Sequence, residues 1–377
     1  MSDAEAPPES DRAPGAPHPR ETLVLYGQTA AESAFLDAFK TDRLHHGWLI
    51  TGPRGVGKAT LAWKLARFLL ANPPDDGGMF APAAPETLET APDHPVAQRM
   101  RALSDPGLFL LRRVWDDKAR PPRLKTVITV DEVRKLRNFF ALSAPGGGRR
   151  VVIIDAADEM NPNAANALLK LLEEPPENAV LLLVCHQPMR LLPTIRSRCR
   201  ELRLSPLSGA DLTASLAQAD IIVPPELQAP LDELAAGSVG DALTLMDLNG
   251  PAIYAKLVGL LGSAPNYDRQ AALALANACA GRGAEQTFIL TTRLILLLLS
   301  RLARHGAGLA PRQEAAAGES ALLARLSPTQ DSARNWARLE QELSARVSHG
   351  KAVNLDPAAL ILDMVFRIND MVARQAA

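Results

Sequence analysis

Residues 47–58 read GWLITGPRGVGK, a short apolar run that leads into a glycine-rich loop ending in a lysine. The apolar run predicts a buried strand, and the residues from 58 to about 70 predict a helix. In the motif G-x-x-x-x-G-K, backbone N–H groups and a lysine hold phosphates at a helix N-terminus. The motif positions are occupied by Gly52, Gly55, Gly57 and Lys58. The order strand, loop, helix therefore predicts a phosphate-type loop at the edge of a parallel sheet.

Strand and helix signals continue to alternate up to about residue 205. Strands are predicted at 107–112, 151–155 and 180–185, and a helix at 163–174 that Pro175 and Pro176 end. Continuous apolar strands separated by helices are typical of a doubly wound parallel α/β sheet with helices on both faces. The remaining residues predict helices only, and Asp356 followed by Pro357 marks the start of the last one.

This pattern predicts four parts. We expect a disordered leader over residues 1–21, because it is rich in Pro, Ala and acidic residues, and an α/β nucleotide-type domain over 22–206. A small helical lid over 207–255 and a C-terminal helical domain over 256–377 would follow. An insertion loop is expected at 71–95 and a sharp turn at 145–148.

Composition excludes several classes of protein. The 377 residues carry a net charge of −1, which does not fit a protein that grips DNA by itself. The three cysteines, at positions 185, 199 and 279, have no spacing typical of a disulfide framework or a zinc site. The apolar run 294–299 is much shorter than the ~20 residues that cross a bilayer, so we expect a cytoplasmic protein with no membrane contact.

Two positions that phosphoryl transfer normally uses carry alanine. Ala59 follows the loop lysine, where Ser or Thr would hold Mg²⁺, and Thr60 comes one position late. Asp155 ends a predicted strand but is followed by Ala156, where a carboxylate base would be expected. Asp158 and Glu159 are interpreted as loop charges that cap the next helix. Hydrolysis in this chain's own site is therefore expected to be slow or absent.

Three stretches together resemble the sliding-clamp loaders of the AAA+ class. They are residues 52–58, residues 166–176 (NALLKLLEEPP) and Ser197-Arg198-Cys199. The resemblance implies an AAA+ sheet domain, a lid and a helical collar that assembles with other subunits. It also implies that Arg198 acts in trans as an arginine finger on ATP held by a neighbouring subunit, with Arg196 and Arg200 as surface or interface support.

The resemblance further implies a helper subunit. Gly240 stands where the motor subunits carry an arginine that senses nucleotide, so the losses at Ala59, Ala156 and Gly240 all concern this chain's own site. The implied partners are ATPase subunits of the gamma/tau type, a delta-type subunit, and a sliding clamp and primed DNA reached through the complex. No cofactor is required, although weak binding of ATP, ADP or phosphate stays open.

Many members of this family carry a four-cysteine zinc module after the phosphate loop. Residues 61–150 contain no cysteine, and His94 has no second soft ligand near it, so no zinc is predicted.

Three alternatives remain at this point. The intact phosphate-type loop favours an ATP-hydrolysing motor subunit, but the residues lost at Ala59, Ala156 and Gly240 oppose it. The same loop would also fit a subunit that binds nucleotide without cleaving it. A basic stretch favours an independent DNA-binding module, although it offers one aromatic residue, Trp115, for stacking. Its basic residues are Arg112, Arg113, Lys118, Arg120, Arg123 and Lys125.

Overall fold

The computed structural model describes residues 8–13, 15–41, 43–74, 85–141 and 148–376. It contains two compact units. The α/β unit extends to Ile221 and includes Gly237–Gly240, and the helical unit comprises Ile222–Ala236 and the chain from Asp241 onward. The predicted boundaries at residues 206 and 255 stay predictions, and the expected turn at 145–148 and part of the insertion at 71–95 lie outside the described residues.

A parallel sheet with strand order β2-β5-β6-β1-β7 forms the centre of the α/β unit, and β3 and β4 form a short antiparallel pair. The fold class predicted from the sequence is thus confirmed. The strands are β1 Gly47–Thr51, β2 Leu108–Arg112, β3 Trp115–Asp116, β4 Arg123–Leu124, β5 Arg150–Asp155, β6 Ala179–Val184 and β7 Arg200–Arg203.

Helices connect these strands and make up the rest of the chain. In the α/β unit they are α1 Thr29–Lys40, α2 Lys58–Ala71, α3 Pro95–Arg101, α4 Val130–Ala141, α5 Pro162–Glu173, α6 Pro193–Arg196 and α7 Gly209–Gln218. Later helices are α8 Pro225–Ala235, α9 Val239–Asp247, α10 Gly250–Gly262, α11 Arg269–Ala278, α12 Glu285–Gly306, α13 Glu319–Leu326, α14 Gln330–Ala352 and α15 Pro357–Ala376.

The central strands are apolar on both faces because each face is covered by helices. In β1, Trp48 and Ile50 pack with α1 and α2, whereas Leu49 between them packs with α4 and α5. Alternate residues of β5 and β6 divide in the same way. This burial explains why these strands read as continuous apolar runs. Parallel pairing of β6 with both β1 and β5 places the carboxyl ends of the three strands side by side.

The described part of the expected leader makes specific contacts, and the disordered leader expected over residues 1–21 otherwise stays a prediction. Within residues 8–13 and 15–21, Asp11 is buried and lies 3.2 Å from His18, which is fully buried and meets the Trp63 ring edge-on. Arg112 of β2 pairs with both Glu9 and Asp11. The acidic residues that suggested a solvated tail are therefore partners for a basic strand end.

Helix α12 has the length and apolar composition of a membrane-crossing helix. Within the helical unit, however, Leu294, Leu298 and Leu302 are fully or almost fully buried, and Arg301 is enclosed in ion pairs. These contacts identify α12 as the core helix of this unit. Asp356 accepts a hydrogen bond from the N–H of Ala359, 3.1 Å away, which confirms the predicted start of α15.

Candidate functional site

The phosphate-type loop lies between β1 and α2 at the carboxyl edge of the sheet. Gly52, Gly55 and Gly57 all have φ between 74° and 136°, a backbone region that residues other than glycine rarely adopt. Lys58 is buried at the start of α2, and its ammonium group donates to the carbonyls of Gly52, at 2.8 Å, and Pro53. The loop is thus folded around its own lysine.

A short segment covers the loop from the other side. The N–H of Val239 donates to the Gly55 carbonyl at 2.9 Å, and a Cβ on Gly55 would come within 2.9 Å of the Gly240 nitrogen. A Cβ on Gly240 would itself make only an ordinary contact with Gly55, at 3.5 Å. The segment Gly237–Gly240 therefore packs directly on the loop, at the position that the resemblance assigns to a nucleotide-sensing arginine.

The charges around the loop are strongly perturbed by burial. Burial lowers the pKa of Lys58 to about 8 and raises the pKa of Asp155, at the end of β5, to about 8. The negative charges of Asp11 and Glu159 raise the pKa of Asp155 further, while Lys58 opposes the rise. Burial therefore favours the neutral form of the Asp155 carboxyl.

The residues after Asp155 have structural roles. Ala156 and Ala157 are buried. The Asp158 carboxylate accepts the N–H groups of His186, at 3.0 Å, and Gln187, at 3.1 Å, so it fixes the turn after β6. The interpretation of Asp158 as a cap of the next helix is wrong, because α5 is capped by Asn161, which accepts the N–H of Ala164 at 2.8 Å.

Sequence reasoning missed His186, which lies beside the loop. Burial, together with the positive charges of Lys58 and Arg54, lowers its pKa to about 4, so the imidazole is neutral. Burial also raises the pKa of the adjacent Cys185 thiol to about 12, so that thiol is unreactive. A lone histidine after an apolar strand carries no sequence signal for this placement.

The implied arginine finger Arg198 and the two arginines beside it contact different neighbours. Arg198 is about one-third exposed and lies 3.0 Å from the Glu173 carboxylate. Arg196 contacts the sulfur of Met189, and the Arg200 guanidinium lies over the Trp48 ring at 5.3 Å from its centroid. Among the residues that the structure describes, Arg198 is thus the one of the three that forms an ion pair.

The predicted basic stretch is partly neutralised inside the α/β unit. Arg112 pairs with the N-terminal segment, and Arg113 lies 2.6 Å from Glu159. Trp115 belongs to the β3–β4 pair, opposite Leu124. These contacts weaken the alternative of an independent DNA-binding module.

His94, the histidine considered as a zinc ligand, caps α3 by accepting the N–H of Val96 at 3.2 Å.

Comparison with known proteins decides the family. A family profile described as DNA polymerase III, delta subunit, matches residues 27–208. The DNA polymerase III subunit delta' of Escherichia coli K12 is 30% identical over 333 residues, which cover 88% of this chain and 91% of that protein. The chain belongs to the delta-prime family of clamp-loader AAA+ proteins.

Other similar proteins include a second delta' subunit and a tau subunit. The delta' subunit of Pseudomonas aeruginosa is 40% identical over 208 residues, and this match spans 55% of the chain and 57% of the relative. The DNA polymerase III subunit tau of Escherichia coli is 29% identical, but the match covers only 43% of that protein. A solved gamma subunit-related protein from Thermotoga maritima is 16% identical, with a TM-score of 0.38. The delta-prime relative from Escherichia coli is thus matched over nearly its full length, whereas tau is not.

Proposed function

We propose that this delta-prime family chain is a noncatalytic subunit that completes the ATP site of a neighbouring gamma/tau-type subunit with Arg198. The observation that carries the proposal is an asymmetry between the two candidate sites. The chain's own site has Ala59 and Ala156 where a hydroxyl and a carboxylate are needed. Arg198, which would serve another chain's site, is present and partly exposed.

The chemistry of arginine suits this role. A guanidinium is permanently charged, planar and able to neutralise charge that develops on a transferring phosphoryl group. Arg198 follows the short helix α6 and precedes β7, so the sheet fixes its backbone. The Arg198 carbonyl would lie 3.2 Å from a Cβ on Gly47, which shows how closely β1 supports this turn.

The partners follow from the same proposal. Matches to both delta' and tau subunits support assembly with ATPase subunits of the gamma/tau type. A delta-type subunit would complete the complex, which would load a sliding clamp onto primed DNA in the cytoplasm. The role of this chain there is accessory: it supplies Arg198 and a fixed position in the assembly.

The test is the DNA-stimulated ATPase of the reconstituted complex. Removal of an arginine finger lowers turnover at the affected site by about 10³-fold or more, so Arg198→Ala should abolish the contribution of one site while leaving assembly intact. Single-turnover measurements would show this as a lost amplitude. The matched control is Arg203→Ala, which removes an exposed arginine from the adjacent strand. Unchanged turnover in a fully assembled Arg198→Ala complex would refute the finger role.

The chain's own loop is proposed to bind nucleotide weakly or not at all, and to hydrolyse none. Lys58 already donates to two loop carbonyls, and Gly55 is covered by the segment Gly237–Gly240. Equilibrium titration of the isolated chain with Mg-ATP separates binding from turnover. Turnover that Lys58→Ala abolishes would instead establish a motor subunit.

A further inference from the structure

The guanidinium of Arg198 is held at both of its terminal nitrogens. One lies 3.0 Å from an oxygen of Glu173, and the other donates to the Thr194 carbonyl at 3.1 Å. The Thr194 carbonyl accepts one of the N–H groups on its nitrogen, and the Glu173 contact is an ion pair at the partly exposed surface. The two contacts restrict the guanidinium while leaving it N–H groups for a further acceptor.

The backbone at Glu173 is held close to the central sheet. It is the last residue of α5, and the carbonyl of the preceding Leu172 accepts a hydrogen bond of 2.9 Å from the His46 ring. This bond satisfies one of the carbonyls that a helix C-terminus leaves unpaired. Since His46 directly precedes β1, the end of α5 is tied to the central sheet. The negative end of the α5 dipole also favours a cation here.

We infer that Glu173 is a positioning residue that preorganises Arg198 for the neighbouring ATP site. This inference rests on the proposed function of Arg198. A free arginine side chain samples many rotamers and must lose that freedom when it engages a phosphate. Glu173 and Thr194 restrict the side chain beforehand, so less ordering is left for the moment of reaction.

The inference predicts how Glu173→Ala changes the reconstituted complex. The contribution to kcat of the one ATP site that Arg198 serves should fall by about threefold to tenfold, measured as a slowed phase in single-turnover experiments, with the KM for ATP unchanged, because orientation and not ground-state binding is lost. Glu173→Gln keeps an oxygen acceptor at the same distance along the side chain and should retain more activity than Glu173→Ala. Glu177→Ala, which removes an exposed carboxylate from the following loop, is the matched control.

A double-mutant cycle with Arg198→Ala separates positioning from a general structural effect. If Glu173 acts through Arg198, then Glu173→Ala causes no further loss once Arg198 is alanine. A further loss in that background, or a kcat that stays unchanged or rises in Glu173→Ala alone, would overturn the inference. Thermal melting and complex assembly of each variant show whether the fold is retained.

The two proposals fail in different ways in this experiment. Unchanged turnover in Arg198→Ala counts against the finger role itself, and with it the inference that depends on it. A large loss in Arg198→Ala combined with normal kcat in Glu173→Ala overturns only the positioning role. Reduced kcat in both single variants with no additional loss in the double variant supports both.

Discussion

Arg301 is the centre of a buried ionic network in the helical unit, and its replacement by methionine should destabilise that unit. Its guanidinium donates to Glu319 at 2.7 Å and to Glu233 at 2.8 Å. Glu319 is fully buried and also accepts from the Tyr254 hydroxyl, at 2.5 Å, and from the N–H of Ala315, at 2.7 Å. The network thereby joins helices α8, α10, α12 and α13.

The magnitude follows from what Arg301→Met leaves behind. Removing one partner of a buried ion pair costs about 3–5 kcal/mol, because the remaining charge is buried without compensation. Glu319 keeps two other donors, which places the expected loss near the lower end, at about 3 kcal/mol. For a unit of roughly 150 residues, this lowers the melting temperature by about 6–12 °C.

Calorimetry and urea unfolding of the full chain measure this loss, with Trp336 as a fluorescent reporter because it is the single tryptophan of the helical unit. The double variant Arg301→Met/Glu319→Gln should recover part of the loss, since it removes the uncompensated charge. The control Arg334→Met breaks an exposed pair with Asp331 and should cost at most about 0.5 kcal/mol. A loss from Arg301→Met no larger than that of the control would refute this reasoning.

Three further outcomes are expected. Asp155→Asn should stabilise the α/β unit against urea by more at pH 8 than at pH 5. The folded state keeps the Asp155 proton up to a pKa of about 8, whereas the unfolded state releases it at about pH 4. The free energy of unfolding of the wild type therefore falls as the pH rises from about 4 to about 8. A stabilisation by Asp155→Asn that does not change with pH would contradict this. Deletion of residues 1–21 should lower the melting temperature and shift tryptophan emission to the red by exposing Trp63, whereas a disordered leader would leave both unchanged. Lys58→Ala should leave the DNA-stimulated ATPase of the reconstituted complex within about twofold of wild type, and a larger loss in assembled complex would show that this loop contributes to turnover.

The sheet could be predicted where burial on both faces produces apolar runs, as in β1, β5 and β6. Strand β7 was missed because it buries only Leu202 among three charged residues, so its sequence has no apolar run. The β3–β4 pair was missed because each strand has two residues, too few for a period to be visible. An apolar run of sufficient length, more than position in the sheet, decides which strands can be recognised, since the edge strand β2 reads LFLLR and was predicted.

The candidate site was only partly predictable for a different reason. The loop glycines and Arg198 lie in contiguous motifs, whereas their partners come from distant parts of the chain. Nothing in the local sequence around Glu9 indicates that it faces Arg112, which is 103 residues away. Likewise, the contacts between Asp158 and the turn at His186 depend on β5 and β6 being neighbours in the sheet.

The glycine pattern of the loop has an explanation that does not require ATP hydrolysis. A Cβ on Gly52 would approach the Leu204 carbonyl to 2.5 Å, one on Gly55 would approach Ser238 to 2.2 Å, and one on Gly57 would meet Leu25 at 2.6 Å. All three positions also need positive φ. The chain's own packing therefore demands these glycines whether or not phosphate binds. It follows that the G-x-x-x-x-G-K motif is weak evidence for a motor subunit, and that the residues supplying metal and base chemistry are the ones that discriminate.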